Sequence, residues 1–389
     1  MTALSRLAHL GIAKEAVLGT YLAPTVFIPF TKADYEDMFT EIKDTSIRAN
    51  DSVLQGMYQG PVEADWSIDM LAYPDVVGHF LRGVIGPDTV SAGISTTVAT
   101  GGSAIGATTL PSTASIPALS YISIGTGASQ EYAYVTAVTG TGPYNLTVTT
   151  VVGQTVGLAK AHLATDPIVS QTTHTFKQSP SAAKATYSLT AYDTSTGTPT
   201  LGYVGAAFSE VGIKIDPKGA VSLTTKLKAL PGTAQSTPTP TYTAMAPVLG
   251  WQWAMTNAGG ASTRGLTFDL SIKRAVEAIH SSNGLQAPRE IFQGALDADG
   301  TYKAIFENLT DLNLYTNYTQ TPTTASLLQP AVVGGASLAL TMSQSGWFKG
   351  KRDLSSAYVQ ASFSLAGIYN TTDTGSVSAV LKNFQTASY

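Results

Sequence analysis

Y-V-G-A-A-F-S-E-V-G-I-K-I runs from Tyr203 to Ile215, and Y-V-Q-A-S-F-S-L-A-G-I-Y-N runs from Tyr358 to Asn370. Seven of the thirteen positions are identical, at an offset of 155 residues. A second pair lies upstream: Y-Q-G-P-V-E-A-D from Tyr58 and F-Q-G-A-L-D-A-D from Phe292, at an offset of 234. Two blocks recurring in the same order are the mark of an internal duplication. The offsets differ by 79 residues, so the first copy is expected to hold about that many extra residues between its blocks. Residues 88–166 fit. They are nearly uncharged and rich in Gly, Thr and Ser, with strand-like runs at 119–124 and 131–138 set apart by turns at Gly125 and Gly140.

The seam between copies is the Pro/Thr-rich stretch 230–247, L-P-G-T-A-Q-S-T-P-T-P-T-Y-T-A-M-A-P. At ~3.1 Å per residue in polyproline geometry it reaches about 50 Å, enough to set the copies side by side. The predicted layout is residues 1–87 with 167–230 as a first domain, 88–166 as an inserted, outward-facing β domain, 231–247 as linker, and 248–389 as a second domain. Each copy reads as strands, one helix, then strands. Helices are expected over 74–83, where Pro comes early and Gly late, and over 307–315. Strands are expected at 266–273, 295–306 and 337–343, and from Tyr187. A hairpin over 203–228 turns at D-P-K-G, residues 216–219. A final hairpin over 358–382 is expected to turn at T-D-T-G, residues 372–375.

Composition excludes several function classes. The chain has 389 residues, 43% hydrophobic and 12% charged, against about a quarter charged in average domains. A net charge of −4 argues against a basic nucleic-acid binder held by phosphates. The absence of cysteine removes disulfides, thiol catalysis and Cys-based zinc sites. Arg6, His9 and Lys14 break any apolar leader. The longest apolar stretch, 331–342, is interrupted by Gly334, Gly335 and Ser337, well short of the ~20 residues of a spanning helix. The expectation is a soluble chain with no membrane span.

No catalytic, cofactor or metal residues are predicted, and the chain is read as a non-enzyme. The five histidines stand at no metal-ligand spacing, and neither H-E-x-x-H nor G-x-S-x-G occurs. G-G-S-A-I-G from Gly101 lacks a phosphate-loop lysine, and D-A-D-G from Asp297 has its Gly too early for a calcium loop. Asn-x-Thr triplets at Asn145, Asn308, Asn317 and Asn370 read as chance in a Thr-rich chain. The one basic cluster is Lys349, Lys351 and Arg352 in W-F-K-G-K-R-D. It is either a solvated loop or a contact with an acidic surface on another subunit, around Glu36 and Asp37. The matching first-copy loop at 194–200 is neutral.

A-K-E-A-V-L-G-T-Y-L-A-P-T-V-F-I-P-F, from Ala13 to Phe30, resembles the start of major tail tube proteins of long-tailed, siphovirus-type bacteriophages. So does I-F-Q-G-A-L-D-A-D-G-T-Y-K-A-I-F-E-N, from Ile291 to Asn308, and the final hairpin fits as well. The resemblance covers nearly everything outside the insert. It implies a mainly β fold: two tandem tail-tube-type β-sandwich or barrel domains, each with a short flanking helix, plus the small all-β insert. It implies a structural virion protein, made in the bacterial host cytoplasm, whose six-domain rings stack into a tail tube that conducts viral DNA. Two domains per chain make each ring a trimer of chains with pseudo-six-fold symmetry. The implied partners are copies of itself, a tape measure protein, tail terminator and distal tail proteins, and DNA in transit without sequence-specific binding. The family gives no cofactor. DNA that must slide is expected to meet an acidic or neutral wall. The candidate wall residues are Glu41, Asp44, Glu63, Asp65, Glu210, Asp269, Asp297 and Asp299, their facing open because a one-residue slip reverses it. The alternative function is a virion decoration or host-binding adhesin acting through the insert.

Overall fold

The computed structural model describes residues 4–180, 184–193, 200–242, 245–355 and 357–389. Strands β1 (His9–Lys14), β2 (Val26–Ile28), β3 (Phe30–Asp44) and β4 (Gly56–Leu71) precede helix α1 (Val77–Val84). Short strands follow: β5 (Asp88–Ser91), β6 (Ser95–Thr97), β7 (Thr109–Ser112), β8 (Ser120–Ile124), β9 (Glu131–Thr139), β10 (Tyr144–Thr149), β11 (Pro167–Ser170) and β12 (Thr172–Phe176). Next come β13 (Tyr187–Tyr192), β14 (Thr200–Ile215), β15 (Ser222–Ala229) and β16 (Thr233–Gln235). The C-terminal part holds β17 (Trp253–Asn257), β18 (Gly260–Ser262), β19 (Gly265–Ile279), β20 (Glu290–Ile305), α2 (Thr310–Thr316), β21 (Thr321–Leu328), β22 (Ser337–Asp353), β23 (Gln360–Gly367) and β24 (Ser378–Asn383). The fold is mainly β. No helix among the described residues is long and apolar enough to cross a membrane.

Period-two alternation builds the long strands. In β4, Val62, Ala64, Trp66, Ile68 and Met70 are buried, while Glu63, Asp65, Ser67 and Asp69 between them are not. Eight such strands pair without a break, all antiparallel, in the order β3–β4–β15–β14–β19–β20–β23–β22. The first four come from the N-terminal series and the last four from the C-terminal series. The two series run in the same order with the same irregularities. The β3/β4 ladder shifts between Phe30 and Lys32 and between Phe39 and Glu41; the β19/β20 ladder shifts at the equivalent places, between Gly265 and Thr267 and between Arg274 and Val276. The β14/β15 ladder shifts between Phe208 and Glu210, and the β22/β23 ladder at its equivalent, between Trp347 and Lys349. Such bulges bend a strand. Here they sit where β14 and β22 leave one layer and enter the eight-stranded sheet.

This order corrects the expected alignment. The blocks at Tyr58 and Phe292 do stand at the same place, on β4 and β20. Those at Tyr203 and Tyr358 do not: the first is β14, whereas the second enters β23, which holds the place of β15. Neighbouring strands on one core carry similar inward patterns; Phe208 and Phe363 are both fully buried. The final hairpin is also overturned. β23 pairs with β20 and β22, while β24 pairs with β22 and β12. The T-D-T-G turn is held to β22 instead: Asp373 accepts from Ser343 N at 2.7 Å, Ser343 Oγ at 2.8 Å and Ser378 Oγ at 2.7 Å. The D-P-K-G turn does close β14 onto β15, with Gly219 N donating to Asp216 O at 3.0 Å and Lys218 N to Asp216 Oδ1 at 2.9 Å.

One face of the eight-stranded sheet is sealed by α1 and the main core. Phe80 meets Phe208 edge-on at 5.4 Å, and a Cβ on Gly83 would lie 2.1 Å from the Phe208 ring. Arg274 of β19 is buried against the same helix. Its Nε donates to Val84 O at 2.9 Å, Nη2 to Ile85 O at 3.0 Å and Nη1 to Gly294 O at 2.8 Å. It satisfies carbonyls that the end of α1 leaves free.

The smaller sheet has six strands, β6–β11–β8–β9–β10–β7, around its own core of Val98, Leu110, Ile122, Val135, Leu146 and Ile168. Flanking it, β5 and β12 remain in the large sheet beside β24. At this root the Asp88 carboxyl meets His174 Nδ1 at 2.8 Å, Ser388 Oγ at 2.7 Å and Arg82. Burial pushes its pKa up, but these partners outweigh burial and hold it well below the usual carboxylate range. The small sheet rests on the segments after β21 and β24: Tyr132 of β9 stacks on Phe384, just past β24, at 5.3 Å, and Gln171 Nε2, between β11 and β12, donates to Gly334 O at 2.9 Å. The Pro/Thr-rich stretch is pinned at both ends, by β16 on β14 and by Val248 N donating to Ala72 O at 2.9 Å.

Candidate assembly edges and channel face

Directly opposed residues in an antiparallel ladder share a face. On the open face of the eight-stranded sheet, Asp65 opposes Lys228, Lys226 opposes Glu210, and Glu210 opposes Lys273. Lys273 in turn opposes Asp297, Lys214 opposes Asp269, and Ser271 opposes Asp299. Glu63 lies two residues from Asp65 on the same strand. Six of the eight acidic residues singled out in the sequence, Glu63, Asp65, Glu210, Asp269, Asp297 and Asp299, therefore share this face. Glu41 and Asp44 are not among them. Both lie past the second β3 bulge on a projecting arm, where Glu41 pairs with Lys43 at 3.1 Å and Asp44 accepts Ser46 N at 3.0 Å and pairs with Arg48.

The sequence reading missed the lysines. Lys226 reaches Glu210 at 2.9 Å, and Lys228 reaches Asp65 at 3.0 Å and Glu63 at 2.5 Å. Partial burial alone would lower the Lys228 pKa, but hydrogen bonds and charge from Glu63 and Asp65 raise it. Burial alone would raise Glu210, but Lys226, Ser271 and Lys273 pull it down. Asp269 and Asp299 are pushed up, chiefly by burial, with Asp216 and Asp297 respectively adding to it. The face is a mosaic of both signs. The signal was available: K-x-K in β15 alternates in step with E-x-D in β4.

The cluster Lys349, Lys351 and Arg352 is a strand end, not a loop. Residues 194–199 of the neutral loop set against it lie outside the described residues. In the strand order its counterpart is the end of β14. Beyond Ser345, β22 pairs only with β23 on one side, and its other edge is open among the described residues. Glu36 and Asp37 lie on β3, which pairs only with β4 among the described residues. The two groups thus occupy opposite edges of one sheet and do not meet within the chain. Arg352 lies over the Phe306 ring at 5.4 Å, and Asp37 accepts Gly232 N at 3.2 Å.

Among the described residues, no group of three or more His, Cys, Asp or Glu is placed to hold a metal ion. No curated protein matches the sequence significantly. A family model described as phage tail tube protein matches residues 5–364, which take in the first strand series, the small sheet and the C-terminal series into β23. With a match over most of its length and a mainly β fold, the chain belongs to the phage tail tube protein family.

Proposed function

We propose that this chain is the major subunit of a virion tail tube of the long-tailed type, and that its eight-stranded sheet lines the channel through which viral DNA passes. The carrying observation is a continuous antiparallel sheet with one face sealed, one face open, and both edges unpaired among the described residues. Open edges are an aggregation hazard unless neighbours cover them. The two strand series are read as copies of one domain. Their common ladder registers and bulges support this, with the first copy interrupted after α1. Three chains then make a pseudo-six-fold ring of about 24 strands. At ~4.8 Å spacing and ~40° tilt, its circumference is about 150 Å and its backbone diameter about 48 Å. Inward side chains take up roughly 10 Å, leaving a passage wider than a DNA duplex of about 20 Å. The paired lysines suit passage: a lysine already held by carboxylates contributes little to gripping phosphate. Tape measure, terminator and distal tail proteins complete the proposed set of partners, with synthesis in the host cytoplasm. Electron microscopy of the purified protein tests the reading. Rings or tubes are expected, with three chains per ring by native mass spectrometry; a dispersed monomer under all conditions would defeat it.

The small sheet supports a second role, as an outward decoration or host-binding module, because it holds its own core. Replacing 95–170 with a short Gly/Ser linker is expected to leave tubes intact.

A further inference from the structure

The junction between β14 and β19 is a template for the contact between chains. It joins the edge of one series to the edge of the other with Glu210 opposite Lys273 and Lys214 opposite Asp269. The same two edges are open at the ends of the sheet. β22 holds the place of β14, its bulge at Trp347 and Lys349 matching that at Phe208 and Glu210. β3 holds the place of β19, its bulge at Phe39 and Glu41 matching that at Arg274 and Val276. Carrying the register across from these matched bulges sets Lys351 opposite Glu36, Lys349 opposite Met38 and Asp353 opposite Asp34.

We propose that the end of β22 in one chain pairs antiparallel with β3 of a second copy in this register, Lys351 against Glu36. The proposal rests on the tube reading and names its contact. Three observations support it. The edges carry opposite charge: Lys351 lies opposite Glu36, Glu36 is also on the diagonal of Lys349 and Asp34 on that of Lys351, and the like-charged Asp353–Asp34 pair has Lys351 beside it. One step further along, Phe348 comes opposite Phe39. These side chains are 56% and 45% exposed in the single chain, and the contact would cover both. At the inner junction the corresponding places are Ser209 and Arg274, where Arg274 is instead turned into the α1 carbonyls. The third observation is continuity: the outer contact extends a ladder already formed within the chain.

The chain has no cysteine, so introduced pairs report alone. Opposed residues in an antiparallel ladder are within disulfide reach. In oxidised tubes, Lys351→Cys with Glu36→Cys is expected to link chains covalently, and Lys351→Cys with Asp34→Cys, displaced along β3, is expected not to. As a second measurement, Lys351→Glu or Glu36→Lys alone should raise the concentration needed for assembly about fivefold, and the double exchange should restore it. Tubes that form while the displaced pair links, or while neither pair links and the exchange fails to restore assembly, overturn the register and leave the tube reading standing. Wild-type protein that forms neither rings nor tubes overturns both.

Discussion

The inner junction and the open outer edges use one backbone plan with different side chains. At the β14–β19 junction, Ser209 and Arg274 occupy the places that Phe348 and Phe39 occupy on the open edges. Arg274 is buried and spends its donors on three carbonyls of its own chain. The two phenylalanines have no such partners and stand exposed. A contact made once, during folding, can rely on a buried cation with each of its three nitrogens hydrogen-bonded. A contact formed between already folded chains would desolvate both sides on association, which is favourable for apolar rings and costly for a guanidinium left without partners.

Substitutions at these places separate the two contacts. The largest effect is expected from Phe39→Asp. It would bury an unpaired carboxylate at every junction between chains, at several kcal/mol each. Sedimentation should show assembly lost, while the thermal melt of the single chain stays within about 0.5 kcal/mol of wild type. Arg274→Ala should act the other way round. Its three buried carbonyls lose their donors, and denaturant titration should show a loss of about 3 kcal/mol in the single chain.

Acid should distinguish the two helices. His79 of α1 is buried, and burial first, then the charges of Lys14 and Arg82, lower its pKa to about 4. Between pH 6.5 and 4 the unfolded chain binds the proton more readily, so stability falls as pH falls, by at most about 3 kcal/mol. Helix α2, T-D-L-N-L-Y-T, has no histidine. His79→Gln is therefore expected to reduce the pH dependence of the single-chain melt over that window, whereas substitutions in α2 should leave that dependence unchanged. The smallest effect is at Glu210→Gln, which removes the Lys226 pair and the opposed charge of Lys273. The loss should be below about 1 kcal/mol at low salt and vanish in high salt.

Much of this was legible because it is local. The D-P-K-G turn, helix α1 and strands such as β8, β9 and β19 announce themselves by turn chemistry and periodicity. What was not legible is partner choice. Alternation states which residues of a strand face inward, not which strand lies alongside, so blocks from β14 and β23 matched although they hold different places. For the same reason W-F-K-G-K-R-D reads as a loop: past Trp347 and Phe348 this edge strand, paired on one side only among the described residues, carries Lys, Arg and Asp without an apolar alternation. The six clustered acids were visible as residues, but their lysine partners became apparent only through the ladder registers.

The mosaic on the open face has a mechanical consequence. Where opposite charges alternate from strand to strand, the lateral period is about 10 Å, twice the ~4.8 Å strand spacing. A potential that alternates with that period dies away from the surface with a decay length of period over 2π, about 1.6 Å, well inside the ~8 Å Debye length of physiological salt. If this face lines the proposed channel, a duplex a few ångströms from it would meet an almost flat energy profile across the wall. Its transport would then be set by hydrodynamic drag rather than by hopping between charged sites.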